Sequence, residues 1–183
     1  VISGFRVAPG WMAEVLGMTP DLVTYGKIIG GGFPVGCFGG KKEIMNCVAP
    51  VGDVYQAGTL SANPVCMVSG LATLKKIKES NVIEACTEKA QYLAGKLNEL
   101  FGKYNQDICC YQFASLFWIT EKSENPVRRI DHHSKKQGEN FAKLFTGLLN
   151  EKVYLAPNAY EVGFVSLAHD ESVQSELKER LFS

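Results

Sequence analysis

Lys27 lies in the segment Tyr25-Gly26-Lys27-Ile28-Ile29-Gly30-Gly31-Gly32-Phe33-Pro34-Val35-Gly36, separated by two residues from three consecutive glycines. Glycines let a backbone turn tightly and let a flat ligand approach closely. A lysine in a desolvated pocket gives up its proton more readily and becomes an amine nucleophile, which is what imine formation with an aldehyde requires. Taken alone, the same residues also read as an exposed loop lysine beside a simple turn. A phosphate-binding loop is the third reading, and it fails on order. Such loops place their glycines before the lysine and a Ser or Thr directly after it, whereas here Ile28 follows Lys27 and the glycines come later.

Other residues with chemistry to offer are scattered. Arg6 suits either a carboxylate or a structural partner. His132-His133 lies in a polar stretch without metal-ligand spacing and reads as a surface pair. His169 reads as a cap or packing residue at the end of the last strand, while Trp11 and Trp118 suggest no role. Among the six cysteines, Cys109 and Cys110 are adjacent, so in a strand they face opposite sides. There is no CxxC pair, and Cys37, Cys47, Cys66 and Cys86 sit among apolar residues. They are expected to be buried, reduced thiols in a reducing compartment.

These residues need elements to position them. Leu22-Val23-Thr24-Tyr25 reads as a short buried strand, and residues 33–38 as a second one ended by Gly39-Gly40. Residues 41–47 suggest a short helix and 48–62 a loop. Asn63-Pro64 is a helix start, with Asn63 as N-cap and proline in the first helical position, leading a helix to about Glu79. Ser80-Asn81 breaks the chain. A second helix over about 82–104 carries Ile83, Cys86, Ala90, Leu93, Leu97 and Leu100 on one stripe. Residues 108–120 are β-rich and 121–129 form a loop holding Pro126. A helix over 132–150 turns Phe141, Leu144, Phe145 and Leu148 inward. Residues 153–155 and 162–167 read as strands, and Asp170 caps a last helix ending near Phe182.

The 183 residues suffice for one sizeable core or two small ones. Lysine plus arginine equals aspartate plus glutamate at 19 each, so there is no electrostatic footprint for nucleic acid or an anionic membrane. No apolar run has the length to span a bilayer, and no secretory leader is visible. The chain opens on Val1, not Met, with Val1-Ile2-Ser3-Gly4-Phe5 resembling the end of a strand, which predicts a piece of a longer protein.

The run from Thr19-Pro20-Asp21 through Lys27 to Gly36 resembles the lysine motif of class III, fold-type I aminotransferases. Three further segments are similar to the glutamate-1-semialdehyde 2,1-aminomutase branch of that family. They are Gly4-Phe5-Arg6-Val7, then Val54-Tyr55-Gln56-Ala57-Gly58-Thr59-Leu60-Ser61-Ala62-Asn63-Pro64, and then Val153-Tyr154-Leu155-Ala156-Pro157 with Tyr160-Glu161-Val162-Gly163-Phe164 and Ser166-Leu167-Ala168-His169. Ala62 stands where glycine is usual and Tyr160 where phenylalanine is usual, and the loop at Ala8-Pro9-Gly10-Trp11-Met12 departs from the common form.

The resemblance implies an α/β fold-type I transferase dependent on pyridoxal 5'-phosphate. Residues 1–80 would be the carboxy-terminal part of the large mixed-sheet domain, 81–104 a connecting helix and 105–183 the small α+β domain. It implies Lys27 as the Schiff-base lysine and Gly58 with Thr59 as a contact to the cofactor phosphate of a neighbouring subunit, hence a homodimer. The alternative for Thr59 is a turn hydroxyl. Glu161 would face a small-molecule substrate, the alternative being a solvated strand glutamate. The implied reaction is an intramolecular amino exchange from glutamate 1-semialdehyde to 5-aminolevulinate, in the cytoplasm or a plastid stroma. A class III ω-aminotransferase with separate donor and acceptor, or a non-catalytic fragment, are the alternatives. The family's acid for the pyridine nitrogen, its glycine/serine phosphate loop and its stacking aromatic ring match no residue of this sequence, so these residues alone are expected to be inactive.

Overall fold

The computed structural model of the chain describes residues 1–125 and 127–182. The chain divides into two units, Val1–Ile83 and Glu84–Ser183.

In the first unit, helix α1 (Trp11–Leu16) precedes strand β1 (Leu22–Tyr25), a 3-10 turn at Lys27–Gly30, strand β2 (Cys37–Gly40), the one-turn helix α2 (Lys42–Met45) and helix α3 (Pro64–Glu79). β1 and β2 are antiparallel with Leu22 opposite Gly40 and Tyr25 opposite Cys37. The second strand therefore starts later than the sequence predicts and includes both glycines that were expected to end it. The reason is close approach: a Cβ on Gly40 would run into the Asp21 carbonyl and Leu22. α1 has no counterpart in the sequence reading. It is a short helix with no buried residue, closed by Gly17 at φ 62°, and one edge of Trp11 meets the Tyr25 ring at 4.9 Å.

The α3 start forms as its sequence dictates. Asn63 accepts the Cys66 N–H at 3.1 Å and proline occupies the first turn, where no N–H is missed. Little of this unit is core. Cys66 is its sole fully buried large side chain among the described residues, while Val51, Tyr55, Leu60, Val65, Val68 and Leu71 are all exposed.

The second unit has a conventional core. Helix α4 (Val82–Lys103) lays Ala94, Leu97 and Phe101 on one face, at the three- and four-residue spacing that aligns side chains along a helix. They pack against Cys110 of β3 (Ile108–Phe113) and Ile119 of β4 (Leu116–Glu121), a hairpin paired from Ile108–Glu121 to Phe113–Leu116. Asn98, on the same helix, donates to the Cys110 carbonyl at 2.9 Å and accepts its N–H at 2.8 Å. The two backbone groups that β4 does not use are thereby satisfied.

Helix α5 (Gln137–Asn150) starts five residues later than predicted, and 130–132 is a 3-10 turn instead. Gln137 explains the start. It is 2% exposed, its side-chain oxygen accepts the Glu121 N–H at 3.1 Å and its amide donates to the Ala159 carbonyl at 3.4 Å. Phe141, Leu144, Phe145 and Leu148 are half-buried, on the expected inward side.

The two strands expected after α5 shrink to one pair of residues, β5 (Gly163–Phe164), which joins β4 with Phe117 opposite Gly163. Residues 153–155 are not a strand. Where β5 pairs, the Phe117 ring lies over Gly163 so closely that a Cβ there would collide with it. Asp170 caps α6 (Glu171–Phe182) as expected, accepting N–H groups from Ser172 at 3.0 Å and Val173 at 3.1 Å. The Ser172 hydroxyl, which donates to the same carboxylate at 2.6 Å, and after it these N–H groups hold the carboxyl below the usual carboxylate range. The loop at 121–129 is seen on both sides of Pro126, which lies outside the described residues.

The cysteines divide. Cys66, Cys86 and Cys110 are buried and Cys109 half-buried, but Cys37 and Cys47 are exposed, which corrects the expectation for those two. Apolar neighbours in sequence do not guarantee a covering layer, and the β1–β2 ribbon has just two strands. Burial pushes the Cys110 thiol up to about 12. In the unfolded chain it titrates near its ordinary value of 9.0. The folded state therefore keeps a proton the unfolded state loses, and stability should fall as pH rises from about 9 towards about 12. Iodoacetamide is expected to label Cys47 in the native protein and Cys110 only after denaturation. Native labelling of Cys110 at a rate equal to Cys47 would contradict the packing described.

Candidate functional site

Lys27 leaves the end of β1 after an extended glycine, Gly26 at φ −170°. Its own φ is 52°, in the left-handed region, where a side chain costs of order 1 kcal/mol or more. Gly31 at φ 59° and Gly32 at φ 93° follow. The glycine run is thus used for what glycine permits, but the strained residue is the lysine itself. Backbone strain of this kind gathers where geometry serves chemistry.

The Lys27 side chain is exposed and has no hydrogen-bond or ion-pair partner among the described residues. The expected desolvated pocket is therefore not made by this unit's residues. What the unit supplies is a rigidly held backbone carrying an unengaged amine. Helix α3 supports that backbone: Ser69 Oγ donates to the Gly31 carbonyl at 2.9 Å and Cys66 Sγ donates to the Pro34 carbonyl at 3.3 Å. Gly70 lies so close to Ile29 that a Cβ would overlap its carbonyl oxygen. Sequence reasoning missed Ser69 and Gly70. The available signal was an isolated glycine inside a helical pattern, which marks a close approach.

Gly58 and Thr59 are exposed at a turn closed by the Ser61 N–H on the Gly58 carbonyl at 3.0 Å. The Thr59 hydroxyl has no partner among the described residues. Segments flanking both places meet in one largely apolar groove of about 700 Å³ that is lined by Tyr25, Ile29 and Gly36 on one side and Gln56, Ser61 and Ala62 on the other. Neither Lys27 nor Thr59 lines it. Asn63 is a helix cap, as its position implies. Arg6 donates from Nε to the Ile2 carbonyl at 3.1 Å, a local structural contact.

In the second unit Glu161 is exposed, in a turn closed by its N–H on the Asn158 carbonyl at 3.2 Å, rather than on a strand. It borders a cavity of about 30 Å³ with Phe117, Phe141 and Gly163. His133 is not a free surface residue. Its half-buried ring stands edge-on between Trp118 and Tyr160, at 5.2 Å from each. Trp118 gains a positional role too, donating from Nε1 to the Ala159 carbonyl at 3.0 Å. His169 is exposed and accepts the Ser166 N–H on Nδ1 at 3.1 Å, a capping contact at the end of its segment.

The model of the class-III aminotransferase family matches residues 1–136. The chain belongs to the class-III aminotransferases. Among curated relatives, it is 57% identical over 176 residues to the glutamate-1-semialdehyde 2,1-aminomutase of Bdellovibrio bacteriovorus, covering 94% of this chain and 41% of that one. It is 50% identical over 174 residues to the protein of the same name in Leptospira interrogans, covering 94% and 39%. The class-III chain thus spans about two fifths of the length of these relatives.

Among solved structures it resembles an omega-transaminase from Sphaerobacter thermophilus at TM-score 0.80 and 30% identity, over 100% of this chain and 42% of that one. It also resembles a β-phenylalanine aminotransferase from Variovorax paradoxus at TM-score 0.83 and 29% identity, over 96% and 40%. A glutamate-1-semialdehyde aminomutase from Pseudomonas aeruginosa, at TM-score 0.79, 18% identity and 97% and 41% coverage, shares the fold. The fold is therefore that of fold-type I transferases, a mixed α/β arrangement whose sheets in this chain are antiparallel.

The Asn63 side chain also donates to the Leu60 carbonyl at 3.2 Å and to Cys66 Sγ at 3.0 Å. Asn63→Ala is expected to lower stability by about 1 kcal/mol, the usual value of a lost N-cap. Asn63→Asp, which keeps the acceptor and loses both donors, should fall between the two in denaturant titration.

Proposed function

We propose that this chain supplies the reactive lysine and the carboxy-terminal part of a pyridoxal-phosphate-dependent aminomutase. The enzyme would convert (S)-4-amino-5-oxopentanoate, glutamate 1-semialdehyde, to 5-aminolevulinate by intramolecular amino exchange. The observation that carries this reading is Lys27: an exposed, unengaged amine on a left-handed backbone in the lysine motif of the family. The names of the relatives at 57% and 50% identity support the aminomutase over other members.

The residues present fit the cofactor. Lys27 would hold it covalently, the adjacent glycines leave its turn without side chains, and the unpartnered Thr59 hydroxyl with the exposed Gly58–Thr59 turn suits a phosphate. Pyridoxal phosphate, when bound, supplies an electron sink for bonds at the amino-bearing carbon. Lys27, once released, would move protons through Nζ as a positioned general acid and base. Thr59 would reach across to the phosphate site of a neighbouring subunit, and Glu161 would face the substrate. A cytoplasmic location belongs to the same proposal, with the plastid stroma as the alternative that cell fractionation decides.

A second reading, a transaminase with separate donor and acceptor, is favoured by the likeness to the omega-transaminase. One experiment separates them. The full-length protein containing this chain, given glutamate 1-semialdehyde alone, should form 5-aminolevulinate without an added amino donor or acceptor; failure to do so ends the mutase reading. Lys27→Ala should abolish the borohydride-fixed cofactor on the peptide carrying residue 27 and lower kcat by at least ~100-fold. A fixed adduct on that peptide in the variant would remove Lys27 from its role.

The homodimer is supported by the exposed apolar residues Tyr55, Leu60, Val65, Val68 and Leu71, an unusual concentration for a free surface. Leu71→Lys in the full-length protein should shift sedimentation from dimer towards monomer, and Lys178→Glu, at an exposed position of the second unit, should not.

A further inference from the structure

Helix α3 reaches both places where the proposed chemistry is anchored. At its start, Asn63 holds the Leu60 carbonyl, next to the Gly58–Thr59 turn, and touches Cys66 Sγ at 3.0 Å. One turn on, the Cys66 thiol, 3% exposed, donates to the Pro34 carbonyl. On the following turn Ser69 Oγ donates to the Gly31 carbonyl, and Gly70 presses its bare Cα side against the Ile29 carbonyl. Ile29, Gly31 and Pro34 all lie in the segment that leaves Lys27.

None of these contacts involves the lysine side chain. They fix carbonyls of a segment that two left-handed glycines would otherwise leave free to relax. A lysine at φ 52° stays there only when its surroundings over-determine it. The grip is tight from both sides: a Cβ on Gly31 would sit 2.5 Å from both Ser69 Oγ and Thr73 Oγ1. The buried Cys66 thiol is at once an acceptor from Asn63 and a donor to Pro34, so it links the two anchoring segments in one chain of contacts.

We infer that Cys66, Ser69 and Gly70 are positioning residues of the proposed site: through them α3 holds Lys27 in its left-handed conformation and ties it to the Gly58–Thr59 turn that would serve the neighbouring subunit's site. The inference rests on the reading of Lys27 given above and says what aims it.

A purely structural helix contact lowers stability and nothing else. A positioning contact also changes the surroundings of the amine and the rate of its reaction. The test uses the full-length enzyme with its cofactor and compares Ser69→Ala, Gly70→Ala, Cys66→Ala and Cys66→Ser with the wild type. The readouts are melting temperature, the pH midpoint of the absorbance of the lysine-bound cofactor, and kcat and KM separately. Ser69→Ala should shift the midpoint and lower kcat roughly tenfold, and Gly70→Ala roughly a hundredfold, with KM little changed. Cys66→Ser keeps a donor and an acceptor and should restore what Cys66→Ala loses.

Variants that melt earlier but keep the wild-type midpoint and kcat overturn the inference. Should Gly70→Ala not fold, Ser69→Ala and the Cys66 pair decide it by the same readouts. A wild-type enzyme with no borohydride-fixed cofactor on the Lys27 peptide overturns both the reading of the site and this inference, whereas a normal adduct with unchanged variants overturns the inference alone.

Discussion

A side chain at φ 52° is held against its own preference, and most of the first unit is organised around that one constraint at Lys27. Gly31 and Gly70 lack the Cβ that would collide with Ser69 and with the Ile29 carbonyl, and Gly32 takes a φ of 93° that a side chain disfavours. The hydrogen bonds from Ser69 and Cys66 are the positive side of the same arrangement. They cost α3 nothing in helical bonding, because both donors are side chains.

The two units solve the problem of burial differently. The second closes a core of Ala94, Leu97, Phe101, Cys110 and Ile119 with polar groups matched at its margin by Asn98 and Gln137. The first buries glycines and one thiol, and leaves its larger apolar residues outward. Apolar surface of that kind is stabilising only when something covers it. The proposed dimer and the greater length of the relatives both speak to the same deficit.

What was legible in the sequence was local. Asn63-Pro64 starts a helix because both residues act on the first turn alone, and Asp170 caps α6 for the same reason. β1 was legible as a strand from four residues of strand-forming type, but not in its burial: Leu22 and Thr24 are exposed and Val23 and Tyr25 half-buried. The lysine motif was legible by resemblance. What failed depended on partners far along the chain. β2 moved to Cys37–Gly40 because Gly40 must pass the Asp21 carbonyl, and α5 began at Gln137 because that side chain is tied to Glu121 and Ala159. Cys37 and Cys47 were misread because an apolar neighbour in sequence says nothing of an apolar neighbour in space. The left-handed backbone of Lys27 had no local signal, since nothing in a lysine codes for it. The cue lay far along the chain, in Gly70.

Asn98 has a consequence of another kind. Strand β3 is the outer member of its sheet, and an outer strand invites another strand to pair with it. At Cys110 both of the outward-facing backbone groups are already taken by one amide side chain. A carboxamide carries the same donor and acceptor as a peptide group, so Asn98 behaves as a strand one residue long. It ends the sheet in the middle of its open edge and leaves an incoming chain no continuous ladder on which to grow.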